Sequence, residues 1–236
     1  MTEHTTEKLQ ELLGYRFRND TLLLQALTHS SYANERVIRS TGDYERLEFL
    51  GDAVLELCTS EFLYEGYPDK REGWLTRRRA SLVNEKALAY CARKLSLQEY
   101  IRFGKGEISI SGRKRDSIVA DVSEAIIGAI YLDGGFDAAR DFVRRFALSD
   151  IEERDLIIDA KTTLQELVQG RFQKDISYRF VSEEGPEHDK TFTMEVLLDD
   201  EVMGTGSGHS KKDAEQEAAY RGILRLYEEY PELKCI

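Results

Sequence analysis

Residues 45–57, ERLEFLGDAVLEL, decide the fold of the first half of the chain, because they have the spacing of a helix and a charge pattern that a helix alone disfavours. At 3.6 residues per turn Glu45, Glu48, Asp52 and Glu56 share a face, while Leu47, Leu50, Val54 and Leu57 fall largely elsewhere. Like charges at these spacings destabilise a helix by roughly 0.2–0.5 kcal/mol per pair. The stack therefore calls for something positive, either a basic side chain or a metal ion.

Outward from this stretch, residues 5 to 145 read as successive helices with no alternation long enough for a sheet. The helical segments are TEKLQELLGY, NDTLLLQALTHSSYANE, DYERLEFLGDAVLELCTSEFLYEGY, EGWLTRRRASLVNEKALAYCARKLSL, RKRDSIVADVSEAIIGAIYLDGG and FDAARDFVRRFAL. GYPDKREG and GKGEISISG break them, and the second has no strand–loop–helix context for binding nucleotide phosphates. Within VADVSEAIIGAIYLDGG, residues 119–135, Asp121 and Glu124 leave one side of a helix whose other positions include Ile126, Ile127, Ile130 and Leu132. A carboxylate on so apolar a helix must be paired, hydrogen-bonded or metal-bound. Two helices thus offer four convergent acids, Glu48, Asp52, Asp121 and Glu124. Oxygen ligands without His or Cys favour Mg²⁺ or Mn²⁺ over zinc. Arg46, Arg78 and Arg115 are the alternative neutralising partners. His29 lacks the Ser and Asp of a triad and reads as structural, and Cys58 reads as core.

From residue 159 the pattern changes. A helix, AKTTLQELVQGRF, precedes ISYRFVSE, the alternating TFTMEVLL and EVMGTGSG, and the helix SKKDAEQEAAYRGILRLYEEY closes the unit. The order α-β-β-β-α predicts a three-stranded antiparallel meander with two helices on one face, with Ala214, Ala218 and Ala219 letting the last helix lie close. Residues 151–158 read as the linker between a domain over 1–150 and one over 159–229.

Bulk properties narrow the function. The 236 residues carry a net charge of −11, which by itself disfavours a nucleic-acid partner, so phosphate contacts must come from local clusters. LTRRRAS, GRKRDS and SKKDAEQ supply them: Arg77, Arg78 and Arg79; Arg113, Lys114 and Arg115; Lys211 and Lys212. Ser210 and Asp213 have capping-box spacing, which places Lys211 and Lys212 in a first helical turn, where they oppose the dipole but suit phosphate. Three cysteines without metal-type spacing, no signal-like start and no long apolar run point to a cytoplasmic protein without a membrane partner.

YERLEFLGDAVL resembles the signature stretch of the ribonuclease III family, and ALTHSSYANE, EGWLTRRRASLVN and DVSEAIIGAIYLDGG resemble its other blocks in order. Residues 159–229 are similar to the double-stranded RNA-binding domain that follows the nuclease domain in bacterial members. The resemblance implies an all-α endonuclease domain followed by an α+β RNA-binding domain. It also implies Mg²⁺-dependent cleavage of double-stranded RNA to 5′-phosphate and 3′-hydroxyl ends with short 3′ overhangs, in the processing of ribosomal RNA precursors and some messenger and transfer RNAs. No small-molecule cofactor beyond the metal is expected. Residue by residue, Glu48, Asp52, Asp121 and Glu124 match the metal ligands, with Asp52 and Glu124 the catalytic pair. Glu45 and Glu72 match acids that position the strands. Phe49 matches an aromatic that enters a pocket on the partner of a homodimer. Thr162, Gln165, Glu166, Gln169, His188, Lys211 and Lys212 match RNA contacts, although Glu187 and Asp189 flank His188 where a basic loop would bind better. The alternative is a regulatory dimer that binds double-stranded RNA without cutting it, and the unsubstituted set of six acids favours the enzyme.

Overall fold

A computed structural model describes residues 3–36, 42–106, 112–186 and 190–235. The chain divides into two compact units, Met1–Ile151 and Glu152–Ile236.

The first unit is helical: α1 (Glu3–Leu13), α2 (Asp20–Ala26), α3 (Ser30–Arg36), α4 (Glu45–Gly66), α5 (Glu72–Val83), α6 (Glu85–Lys94) and α7 (Asp116–Phe146). Two segments expected as single helices are each divided. Leu27–His29 leave the helical path to bond with Arg102, whose N–H donates to the Leu27 carbonyl and whose carbonyl accepts from His29 N–H. Asn84 is extended and caps α6, its side chain accepting from Ala87 N–H at 3.0 Å. In α7 the chain breaks at Gly135, whose φ of 82° suits glycine. Beyond that break Arg140 and Arg144 meet Glu61, and Arg144 also meets Glu65, on the second half of α4.

The core lies around α4 and the first part of α7. Leu47, Val54, Leu55, Cys58 and Leu63 share one buried cluster with Val119, Val122, Ile126, Ile127 and Ile130. Each such side chain contributes about 1.5–3 kcal/mol of burial. The two helices pass antiparallel at glycine. A Cβ on Gly51 would lie 1.8 Å from the Glu124 carbonyl oxygen, and one on Gly128 would lie 2.3 Å from that of Leu47. Only glycine permits this approach, and it decides how near the acids of the two helices come.

Residues 151–158 form a helix, α8 (Ile151–Ile158), in which Ile151 is buried and Leu156 packs on the core of the second unit. That unit continues with α9 (Ala160–Phe172), β1 (Ile176–Glu184), β2 (Thr191–Leu198), β3 (Glu201–Gly208) and α10 (Lys211–Glu229). The sheet is antiparallel in the order β1-β2-β3, with Phe180 opposite Met194 and Val196 opposite Gly204. Val196 and Met203 form one core with Leu164 and Val168 of α9 and Ala218, Ala219, Ile223 and Leu226 of α10. The fold is thus an all-α unit followed by an α+β unit of the expected α-β-β-β-α order.

Candidate functional site

The α4–α7 crossing brings Glu48, Asp121 and Glu124 together: one carboxylate oxygen from each lies within 4.8 Å of the others, and all three residues are half-buried. Asp52 stands one turn beyond Glu48 and is exposed, and Glu45 stands about one turn before it, also exposed. Burial, then Asp52, Asp121 and Glu48, push the Glu124 carboxyl up to about 8. Glu48 is raised by burial and then by Asp121, Glu45 and Asp52. Asp121 is raised by burial, against a hydrogen bond from Tyr44 O–H to its Oδ2 at 3.3 Å. Among the described residues, no lysine or arginine is a cause of the shift of Glu48 or Glu124. Crowded oxygen donors held above their ordinary pKa values fit a hard divalent cation, whose charge would offset their repulsion.

Glu72 is not part of this group. It begins α5, and its carboxylate accepts from Thr76 Oγ1 at 2.8 Å. His29 is a packing residue: its Nδ1 accepts from Ser31 N–H at 3.1 Å, and its ring meets Tyr44 and Phe103. Phe49 is 82% exposed, and with Leu57 (56%) and Tyr64 (77%) it gives the outer side of α4 an apolar stripe. Such a face is unusual for a surface left in water.

In the second unit Thr162, Gln165, Glu166 and Gln169 follow one side of α9, and all except half-buried Gln165 are exposed. Ser210 caps α10, accepting from Asp213 N–H at 3.1 Å and donating to Asp213 Oδ2 at 2.7 Å. Lys211 and Lys212 consequently open the helix in exposed positions. Lys211 Nζ lies 5.1 Å from the centre of the Phe180 ring, a support that the sequence did not reveal. His188, with Glu187 and Asp189, lies outside the described residues. Not every arginine of the basic runs faces outward for phosphate. Arg79 donates to Ser60 Oγ at 2.9 Å and pairs with Glu56, and Arg113 pairs with Glu99 at 2.8 Å.

Sequence reasoning missed Gly51, Gly128 and Tyr44. A glycine inside an apolar helix costs about 1 kcal/mol against alanine and so signals a close approach, which makes the glycines detectable in principle. Tyr44 meets Asp121 across 77 residues, and no local pattern announces that.

A helical unit that holds an acidic cluster is thus joined to an α-β-β-β-α unit that presents lysines at a helix start. Residues 19–151 match the family model described as ribonuclease-III-like, and residues 160–226 match the double-stranded RNA binding motif. The chain is 46% identical over 222 residues to ribonuclease 3 of Listeria monocytogenes, covering 93% of this chain and 97% of that one. It is 49% identical over 223 residues to ribonuclease 3 of Natranaerobius thermophilus, covering 93% and 95%. A solved nuclease domain of ribonuclease III from Campylobacter jejuni, described as flexible in a region involved in dimer formation, superposes with a TM-score of 0.57. It shares 40% identity and covers 62% of this chain and 98% of that one. The chain belongs to the ribonuclease III family and is an endoribonuclease for double-stranded RNA.

Proposed function

We propose that Glu48, Asp52, Asp121 and Glu124 hold Mg²⁺, with Mn²⁺ an effective substitute, and that Asp52 and Glu124 are the catalytic pair for phosphodiester hydrolysis. The observation that carries this is the group of carboxylates within 4.8 Å, two of them without a basic neighbour contributing to their raised pKa values. When bound, a divalent ion lowers the pKa of water and neutralises charge developing on the leaving oxygen. The protein's own part is placement. The glycine crossing fixes Glu48 against Glu124, and exposed Asp52 stands nearest to solvent, where the RNA backbone arrives. Glu45, about one turn before Glu48, and Glu72, at the start of α5, would position the strands. The products are 5′-phosphate and 3′-hydroxyl ends.

The stripe of Phe49, Leu57 and Tyr64 supports a homodimer, in which two sites related by a two-fold axis each cut one strand and leave short 3′ overhangs. Thr162, Gln165, Glu166 and Gln169 would meet a minor groove, Lys211 and Lys212 the adjoining phosphates and His188 the next minor groove, reading A-form shape over roughly 16 base pairs. The substrates include ribosomal RNA precursors and some messenger and transfer RNAs, in the cytoplasm.

The test is cleavage of a perfect RNA duplex of about 30 base pairs, longer than the roughly 16 that one such domain spans. Wild type and Glu124→Gln are each given Mg²⁺, Ca²⁺ or EDTA, on denaturing and native gels. Cutting by wild type with Mg²⁺ alone, and binding without cutting by the variant, are the expected results. Cutting in excess EDTA would overturn the metal site. Binding without cutting by both proteins in Mg²⁺ would favour the regulatory binder.

A further inference from the structure

Asp121 is the one member of the carboxylate group with a side-chain hydrogen bond among the described residues. The donor, Tyr44, is 6% exposed and joins both helices of the crossing. Its carbonyl accepts from Leu47 N–H and Glu48 N–H, each at 2.9 Å, at the start of α4, and its hydroxyl reaches Asp121 on α7. The ring is held in place: its backbone N–H donates to the Thr28 carbonyl at 3.0 Å, and it lies 5.8 Å from His29, itself fixed by Ser31 and by Phe103 at 5.3 Å. Burial, with Asp121, Glu48 and Glu45 nearby, pushes the phenol well above its ordinary value, so it remains a donor.

We infer that Tyr44 is a positioning residue for the metal centre: its hydroxyl fixes the rotation of the Asp121 carboxylate, so that one oxygen faces the ion together with those of Glu48 and Glu124. This rests on reading that group as the metal site. A carboxylate free to rotate among like charges would turn away from them, and a hydrogen bond from a rigid ring holds it. Outer partners of this kind change metal affinity by about 10–100-fold when removed.

The test uses the full chain without RNA. Mn²⁺ binding is followed by the loss of the free-ion electron paramagnetic resonance signal in wild type, Tyr44→Phe, Asp121→Asn, Glu124→Gln and the Tyr44→Phe/Asp121→Asn double variant. Urea unfolding in EDTA, read from Trp74 fluorescence, is measured alongside. Tyr44→Phe should bind Mn²⁺ about tenfold more weakly, with an unchanged unfolding midpoint and a cleavage rate that returns close to wild type at saturating Mn²⁺. In the Asp121→Asn background the same change should have no further effect. Wild-type Mn²⁺ affinity in Tyr44→Phe, with weakened affinity in Asp121→Asn, would overturn the positioning role and leave the metal site standing. Unchanged affinity in Asp121→Asn and in Glu124→Gln would overturn the metal site and the role together. An equal loss in both backgrounds, with a lowered EDTA midpoint, would show that Tyr44 acts through packing and overturn the inference.

Discussion

Replacing Gly51 by alanine should loosen the first unit and damage the site at once. Alanine is about 1 kcal/mol better than glycine in a helix interior, so any loss must come from the crossing. The new Cβ would lie 1.8 Å from the Glu124 carbonyl oxygen, 2.6 Å from its carbon and 2.9 Å from Gly128 N, all of them backbone atoms. No rotamer relieves such a contact, so α4 and α7 must part by more than an ångström to reach 3.0 Å. Overpacking costs about 1–3 kcal/mol where side chains can adjust, and backbone against backbone belongs at the top of that range or above it. After the helix gain, a net loss of about 2 kcal/mol remains. With a urea dependence of about 1–3 kcal/mol per molar, the unfolding midpoint should fall by about 1 M. Trp74 is the sole tryptophan and sits on α5, so its fluorescence reports the first unit at a fixed protein concentration. Cleavage without urea should fall about a hundredfold, the usual consequence of moving catalytic groups by an ångström. Gly66→Ala lies on the same helix with nothing within 4 Å of its Cβ, so it should leave the midpoint unmoved or slightly raised. A wild-type midpoint and cleavage rate in Gly51→Ala would refute the claim that this glycine sets the carboxylate spacing.

Burial and the neighbouring carboxylates push Glu124 up to about 8, against 4.5 for an ordinary glutamate, so between those values, in EDTA, the folded chain binds more protons than the unfolded one. Stability in EDTA should therefore fall as pH rises through that window, and the midpoint gain from Mg²⁺ should be larger at its upper end. An equal gain at both ends would count against ligation by this group. Phe49→Glu should fold normally, because Phe49 is 82% exposed, yet light scattering should give a monomer at micromolar concentration; a persistent dimer mass would remove α4 from the interface. Lys212→Ala should weaken binding to duplex RNA and lower the slope of log affinity against log salt by about 1, with stability unchanged or raised by up to about 1 kcal/mol as an opposing charge leaves the first turn. An unchanged slope would mean that Lys212 touches no phosphate.

Legibility of the fold follows the range of the interactions that build it. Helical spacing, the alternation of TFTMEVLL and the cap at Ser210 are local patterns, and the elements they announce are present. Asn84 is also a local signal, a capping residue within one apolar run, and reading that run as a single helix overlooked it. Leu57 shows the opposite limit. Its position two turns after Phe49 is plain in the sequence, but whether it is buried depends on which side of α4 receives α7. Chain order cannot state that. The acids of the candidate site were visible because charge on an apolar helix is a local inconsistency. The contacts that space and orient them, Gly51 with Glu124 and Tyr44 with Asp121, each join residues more than seventy positions apart.

These hidden contacts account for the unfavourable part of the design. Had α4 and α7 met through larger side chains, Glu48 and Glu124 would stand farther apart and their repulsion would be weaker. The two glycines and the tyrosine instead hold three carboxylates within 4.8 Å, where burial raises all of them and the neighbouring carboxylates raise Glu48 and Glu124 further. A fold selected for stability alone would place a basic side chain among them, and among the described residues neither Glu48 nor Glu124 has one contributing to its pKa shift. The repulsion is relieved by a proton at low pH or by a cation at higher pH. Where both are available, each competes for the same oxygens, so acid and chelators should suppress cleavage for one and the same reason.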